Sequence, residues 1–238
     1  MHTPQEKEHF LEQGFLHAPG VLEEPLLQQI RCEFDRVWEL ESPTGKVNQH
    51  KLLQYSLFLG LIEHPAILQR HRAIFGNQIQ LLQYDLLRQG PESNHPERSW
   101  HRDFSFPGER PVSINTIVYL DDMDEIRGPT RVVPGSHKGT ARPPAGQIQQ
   151  PLDGEIAVYA HPGDAVFINS AIWHSGGCNR SSGLRRGIYL YYGYWWLKRY
   201  ESDQDLPWQA LQGAHQQRLH LLGLKMPDRD LHIYDPEA

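Results

Sequence analysis

The sequence predicts a mainly β protein: a jelly-roll core buttressed by helices before and after it. Three observations carry that reading. From Gln78 onward, short β-rich runs alternate with turn-forming clusters. The stretches on either side carry apolar residues near a helical period. A chain of 238 residues is also long enough for one sizeable core, a length at which all-β barrels and sandwiches often form one domain. No repeat and no linker composition divides the chain. The expectation is therefore a single domain over 1–238, with a helical part at about 1–76, a β core at about 77–197 and a C-terminal helix at about 206–222.

Taken in order, Thr3-Pro4-Gln5-Glu6 is a helix-start pattern, with proline in the first turn and an acid behind it. Residues 24–40 carry Leu26, Leu27, Ile30, Phe34, Val37 and Trp38 on one helical face. Residues 65–75 repeat the pattern, and Gly76-Asn77 ends it. Strands are expected at 79–87, 112–120, 131–133, 156–159, 165–169 and 185–196. The segment 91–98 reads as a polar loop and 121–125 as an acidic turn. The Pro/Gly-rich stretch 139–150 reads as a loop over the site.

Composition narrows the class of function. A net charge of −6 argues against a general nucleic-acid or anionic-membrane surface. Cys32 and Cys178 supply no disulfide framework and suit a reducing cytoplasm. The first residues have neither a basic region nor an apolar run, so no signal peptide is expected. No apolar stretch reaches 18 residues, so no spanning helix is expected either. The expected partner is a small molecule, with no nucleic acid and no membrane, and the expected location is the cytoplasm. The sequence does not set an oligomeric state.

The chemistry centres on His101 and Asp103, in Trp100-His101-Arg102-Asp103, and on His174, 71 positions after Asp103. On a strand, His-x-Asp places both side chains on one face. Two imidazoles and one carboxylate suit a divalent first-row metal, and on one face of a site they leave positions open, as in non-haem Fe(II) oxygenases. A zinc site with a bound water uses similar ligands. Alone, His-x-Asp is a weak pattern in a chain with 14 histidines.

The segment after His174 adds specificity. Asn179, Ser181, Gly183 and Arg185 stand five, seven, nine and eleven positions beyond it. That spacing resembles the distal-histidine motif of the phytanoyl-CoA dioxygenase family. Gly128-Pro-Thr-Arg-Val-Val-Pro134-Gly135-Ser136-His137 and Pro162-Gly163-Asp164 resemble further landmarks of the same family. The resemblance runs from about Phe10 to Leu222 and is strongest from Trp100 to Tyr192. It implies a double-stranded β-helix and an Fe(II)- and 2-oxoglutarate-dependent dioxygenase. Such an enzyme consumes O2 and hydroxylates a C–H bond of a small organic metabolite, with release of succinate and CO2.

The resemblance also implies roles. His101, Asp103 and His174 would hold iron, and Arg185 would bind the distal carboxylate of 2-oxoglutarate through its planar fork. Arg186 would face the other way and join a salt bridge. Asn115 and Tyr119, on one face of the strand at 112–120, could wall the cosubstrate, because Ile117 stands where relatives commonly carry an aromatic. Gln83 could face inward, and Lys46 resembles a basic position that reaches 2-oxoglutarate in some members, although a solvated loop lysine is its simpler reading. Arg102, where relatives often carry glutamine, could pair with an acid. Ser175-Gly-Gly departs from the frequent Gly-Ser-Gly. Asn179 and Ser181 would shape the turn before Arg185. Trp100, Phe104, Phe106 and Trp173 could be substrate walls or barrel core, and His137 a structural residue. The presence of Asp103 favours hydroxylation, or another hydrogen-abstraction outcome such as desaturation or ring formation, over halogenation, since related halogenases lack this carboxylate. Three rival classes stand beside the oxygenase: a barrel that kept its ligands without turnover, a zinc hydrolase, and a purely structural interaction protein, which leaves the three ligands and the arginine unexplained.

Overall fold

Local chemistry starts the first helix where the sequence places it. In the computed structural model, which describes residues 3–104, 106–108, 110–143, 146–199 and 206–226, Thr3 is the N-cap. Its Oγ1 accepts a hydrogen bond from the Glu6 N–H at 3.1 Å, and Pro4 opens α1 (Pro4–Gln13). Gly14 ends the helix at φ +83°, and a β-carbon there would collide with the His137 imidazole. His137 is itself fully buried and bonds the Leu11 carbonyl at 3.0 Å, so its role is structural, as expected.

Helix α2 (Leu26–Glu41) buries Leu27, Ile30, Phe34, Val37 and Trp38, the stripe that the periodicity predicts. Helices α3 (Gln49–Leu52), α4 (Ser56–Leu61) and α5 (Pro65–Phe75) complete the N-terminal layer. Two strands, β1 (Phe15–Ala18) and β2 (Lys46–Asn48), lie inside the part expected to be helical. Runs of four and three residues carry no resolvable period, and their extended form is decided by the strands they pair with. The remaining strands are β3 (Ile79–Gln89), β4 (Ser113–Tyr119), β5 (Thr130–Val132), β6 (Ile156–Val158), β7 (Ala165–Asn169), β8 (His174–Ser175) and β9 (Arg185–Tyr194).

These strands form two antiparallel sheets. One has six strands in the order β1-β7-β4-β9-β3-β2, and the other three in the order β6-β5-β8. Alternation along each strand then sorts the side chains. Phe15, Ile117, Tyr119, Val166 and Ile168 of the large sheet pack with Val132 and Val158 of the small one. The opposite face of the large sheet, with Ile114, Val118, Phe167, Ile188, Leu190 and Tyr192, packs against Ile30, Phe34, Phe58 and Ile67 of the helices. The result is the expected jelly roll with flanking helices.

The C-terminal helix expected at 206–222 is two short ones, α6 (Trp208–Leu211) and α7 (Gln216–Leu221). Gly213, at φ +63°, breaks the run between them. Among the described residues, no helix is long and apolar enough to cross a membrane.

Candidate active site

His101 and His174 meet through their backbones. Each donates its N–H to the other's carbonyl at 3.0 Å, forming an isolated antiparallel bridge. Their ring centroids are 4.3 Å apart. Nδ1 of His101 bonds the Ser99 carbonyl at 2.8 Å, and Nδ1 of His174 bonds the Ile172 carbonyl at 3.1 Å. A backbone acceptor on Nδ1 fixes the tautomer that leaves Nε2 free as a ligand. Both Nε2 atoms lie 3.6 Å from Oδ1 of Asp103.

The expected strand through His101 and Asp103 does not form. Only His101 pairs, and the chain then bends at Asp103, with the Phe104 N–H bonding the Ser170 carbonyl at 2.9 Å. β8 offers only two residues, which leaves no ladder for a longer run. The carboxylate reaches the imidazoles through a bend, not through strand alternation.

Among the described residues, His101, Asp103 and His174 form a group whose ligand atoms all lie within 4.8 Å of one another. Burial opposes the charge on Asp103, but the two neighbouring imidazoles outweigh it and hold the carboxyl far below the usual carboxylate range. Burial likewise opposes protonation of His101. Its bonds to Asp103 and to the Ser99 carbonyl win, and its pKa is raised. Two imidazole nitrogens and a carboxylate oxygen converging in this way match the donor set of a divalent metal.

The two histidines open onto a cavity of about 630 Å3, which is also lined by Gln83, Asn115, Ile117, Arg185, Tyr189 and Tyr191. Arg185, on β9, is 4% exposed. Its Nε donates to the Gly128 carbonyl at 3.0 Å, and its guanidinium carbon lies 5.9 Å from the Tyr119 ring centroid. Burial works against its charge, but the Tyr189 and Tyr119 phenols offset that and the pKa is raised. Nη2 is buried without a hydrogen-bond partner among the described residues. A buried, unsatisfied N–H on a cation is costly, and this edge is available to an acceptor in the cavity. Arg186 faces the other way and pairs with Asp121 at 2.8 Å and Asp35 at 2.7 Å.

The other predicted residues divide. Asn115 lines the cavity, but its Nδ2 donates to Asp103 Oδ2 at 3.3 Å and to the Tyr191 hydroxyl at 2.6 Å. It braces the carboxylate, although its Oδ1 is buried without a partner among the described residues. Tyr119 does not line the cavity. Its hydroxyl bonds Thr130 Oγ1, and its ring backs Arg185. Gln83 lines the cavity and donates to Asp85. Lys46 is exposed, as a solvated lysine would be, but it lies on β2 and not in a loop, and its Nζ pairs with Asp85 at 2.8 Å beside the same cavity. Asn179 and Ser181 do shape the turn before β9. Asn179 Nδ2 donates to the Gly90 and Gly183 carbonyls at 2.8 Å, and its Oδ1 accepts from the Ser181 N–H at 3.1 Å. Arg102 pairs with no acid among the described residues. Backbone carbonyls of Ser136 and Gly139 take its place, at 2.6 and 2.8 Å.

Sequence reasoning missed Asp85, Tyr189 and Tyr191. Asp85 is 3% exposed and is the only acid in β3. A lone acid in an apolar strand, two positions from Gln83, is a readable cue. Tyr189 and Tyr191 stand four and six positions after Arg185, on the same strand face.

The bracing of Asp103 gives a first prediction. Asn115→Leu is expected to weaken metal binding about 10- to 100-fold, the usual effect of removing a partner that orients a ligand. Titration of the metal-free protein with Fe(II) under argon measures it, and wild-type affinity would show that Asp103 is held without Asn115.

The sequence model of the phytanoyl-CoA dioxygenase family matches residues 10–187. The chain belongs to that family. Its members are Fe(II)- and 2-oxoglutarate-dependent dioxygenases, and iron and 2-oxoglutarate are accordingly the cofactors to which this site answers. Among relatives, the peroxisomal phytanoyl-CoA dioxygenase of Mus musculus is 23% identical over 239 residues, covering 80% of this chain and 68% of that enzyme. The dioxygenase trt7 of Aspergillus terreus is 31% identical over 101 residues, covering 39% of this chain and 34% of that enzyme. The chain thus spans about a third of the second relative's length and about two thirds of the first's. The crystal structure of HygX from Streptomyces hygroscopicus with nickel and 2-oxoglutarate bound superposes with a TM-score of 0.71 at 19% identity, covering 84% of this chain and 89% of that one. That likeness establishes the jelly-roll fold.

Proposed function

We propose that this protein is a non-haem Fe(II)- and 2-oxoglutarate-dependent dioxygenase that hydroxylates a C–H bond of a small organic metabolite, and that one catalytic domain carries the reaction. His101, Asp103 and His174 hold the iron, and Arg185 holds the distal carboxylate of 2-oxoglutarate. Bound together, iron and 2-oxoglutarate supply the oxidising power: O2 is consumed, 2-oxoglutarate leaves as succinate and CO2, and an oxygen atom enters the substrate.

The single observation that carries this reading is Arg185, a buried guanidinium whose Nη2 has no partner among the described residues, lining the same cavity as both histidines. A zinc hydrolase has no use for such an anchor. A carboxylate accepting from Nη2 would satisfy the stranded donor and match the planar fork. The protein's own contribution is positional. Backbone acceptors fix both imidazoles, Asn115 and Tyr191 brace the carboxylate side, and Tyr119 backs the anchor. The free thiols of Cys32 and Cys178 suit a reducing compartment, which supports action in the cytoplasm.

The test is O2-dependent succinate formation from 2-oxoglutarate by the Fe(II)-loaded protein across a panel of small metabolites. At least one compound is expected to raise the rate above the substrate-free background and to gain one oxygen atom by mass. Intact binding of iron and 2-oxoglutarate with no turnover across the panel would favour an inactive binding barrel instead. Hydrolysis that ignores 2-oxoglutarate would favour the zinc enzyme.

A further inference from the structure

A second cavity, of about 390 Å3, shares His101 with the first. Trp100, Arg102, Thr140, Arg142 and Trp173 line it. Arg102 is held in place there. Its Nη2 bonds the Ser136 and Gly139 carbonyls, and its guanidinium carbon lies 4.8 Å from the Trp173 ring centroid. Its Nε is buried without a partner among the described residues. Trp173 Nε1 donates to the Ala141 carbonyl and Trp100 Nε1 to the Gln150 carbonyl, both at 2.8 Å. Those bonds tie the loop that carries Thr140 and Arg142 to the two metal half-sites.

Among the described residues the charge in this cavity is unbalanced: Arg102 and Arg142 share it, no carboxylate lines it, and neither arginine forms an ion pair. Elsewhere Arg98, Arg131, Arg186 and Arg218 each have an acid, in a chain with 29 acidic and 23 basic side chains. Two like charges held together beside an available excess of acids are best relieved by an anion from outside.

We propose that this cavity binds an anionic group of the substrate, a carboxylate or a phosphate, with Arg102 and Arg142 as its counter-charges. Arg102 offers a fixed cation backed by an indole, and the exposed Arg142 can close on the ligand from the loop. Because His101 borders both cavities, an anion held here places the rest of the substrate beside the metal ligands. What then happens to the substrate rests on the oxygenase reading above, whereas the anion binding does not.

The experiment uses protein loaded with Zn(II) and 2-oxoglutarate, so that the Arg185 site is filled. Benzoate, phenyl phosphate and neutral benzamide are titrated while the Trp173 indole N–H resonance, assigned by its loss in Trp173→Phe, is followed by NMR. A saturable shift with benzoate or phenyl phosphate, but not with benzamide, is expected. Whichever anion binds more tightly tells carboxylate from phosphate. Arg142→Gln, at an exposed position, should weaken binding at least tenfold and leave 2-oxoglutarate binding unchanged. Arg102→Gln should weaken it as much, but also unties Ser136 and Gly139, so Arg142→Gln decides. An equal response to benzamide, no saturable shift, or wild-type affinity in Arg142→Gln would overturn the proposal. Failure of 2-oxoglutarate to bind in the same samples would instead count against the oxygenase reading, and the anion titration is then read on the metal-free protein.

Discussion

Alanine in place of His174 is expected to abolish 2-oxoglutarate turnover and to weaken Fe(II) binding by at least about a hundredfold, the upper range seen when a mere supporting partner of a ligand is removed. The side chain supplies one of three converging donors, and its Nε2 lies 3.6 Å from Asp103 Oδ1. Folding should survive. The contacts that place residue 174 in the fold are made by its backbone: both bridge bonds to His101 and the register with Val132 persist in an alanine variant. Circular dichroism and thermal melting check the fold, and anaerobic Fe(II) titration checks the site. A folded variant that binds Fe(II) as tightly as wild type and turns over would remove His174 from the ligand set. Zinc or Mn(II) in a purified sample would not, because imidazole and carboxylate donors accept several divalent ions.

Arg185→Gln is expected to raise the requirement for 2-oxoglutarate far more than Arg186→Gln. Removing one partner of a desolvated charge pair costs about 2–5 kcal/mol, since the other charge is left unpaired. At about 1.4 kcal/mol per tenfold, the loss runs from more than tenfold to over a thousandfold. Arg186 makes the useful contrast because it is adjacent in sequence and opposite in space. Its loss breaks the pairs to Asp121 and to the more exposed Asp35. The expected penalty is roughly 1–2 kcal/mol of stability, read as a fall of about 2–8 °C in Tm for a chain of this size. Both variants are titrated with 2-oxoglutarate in their anaerobic Fe(II) forms. A large loss in Arg186→Gln and a small one in Arg185→Gln would exchange their roles, and no loss in either would remove the carboxylate anchor.

Much of this protein was legible in its sequence because it depends on near neighbours. The Thr3-Pro4 helix start, the α2 stripe and the strand Ala165–Asn169 follow from capping, period and composition, which act over a few residues. The opposite orientations of Arg185 and Arg186 follow from strand alternation alone. The motif spacing after His174 sufficed to point to the family. The tertiary structure decided everything that depends on partners far along the chain. β1 and β2 are strands because β7 and β3 pair with them. Asp103 meets the histidines through a bend because β8 is too short to extend the ladder. Asn115 braces Asp103 together with Tyr191, 76 positions away, and Lys46 meets Asp85 across 39. Arg102 bonds a carbonyl 34 positions on where an acid was expected. Alternation dictates which face a side chain takes, but only the closed fold brings the group that satisfies it, because a buried polar atom is answered by whatever packs against it in space.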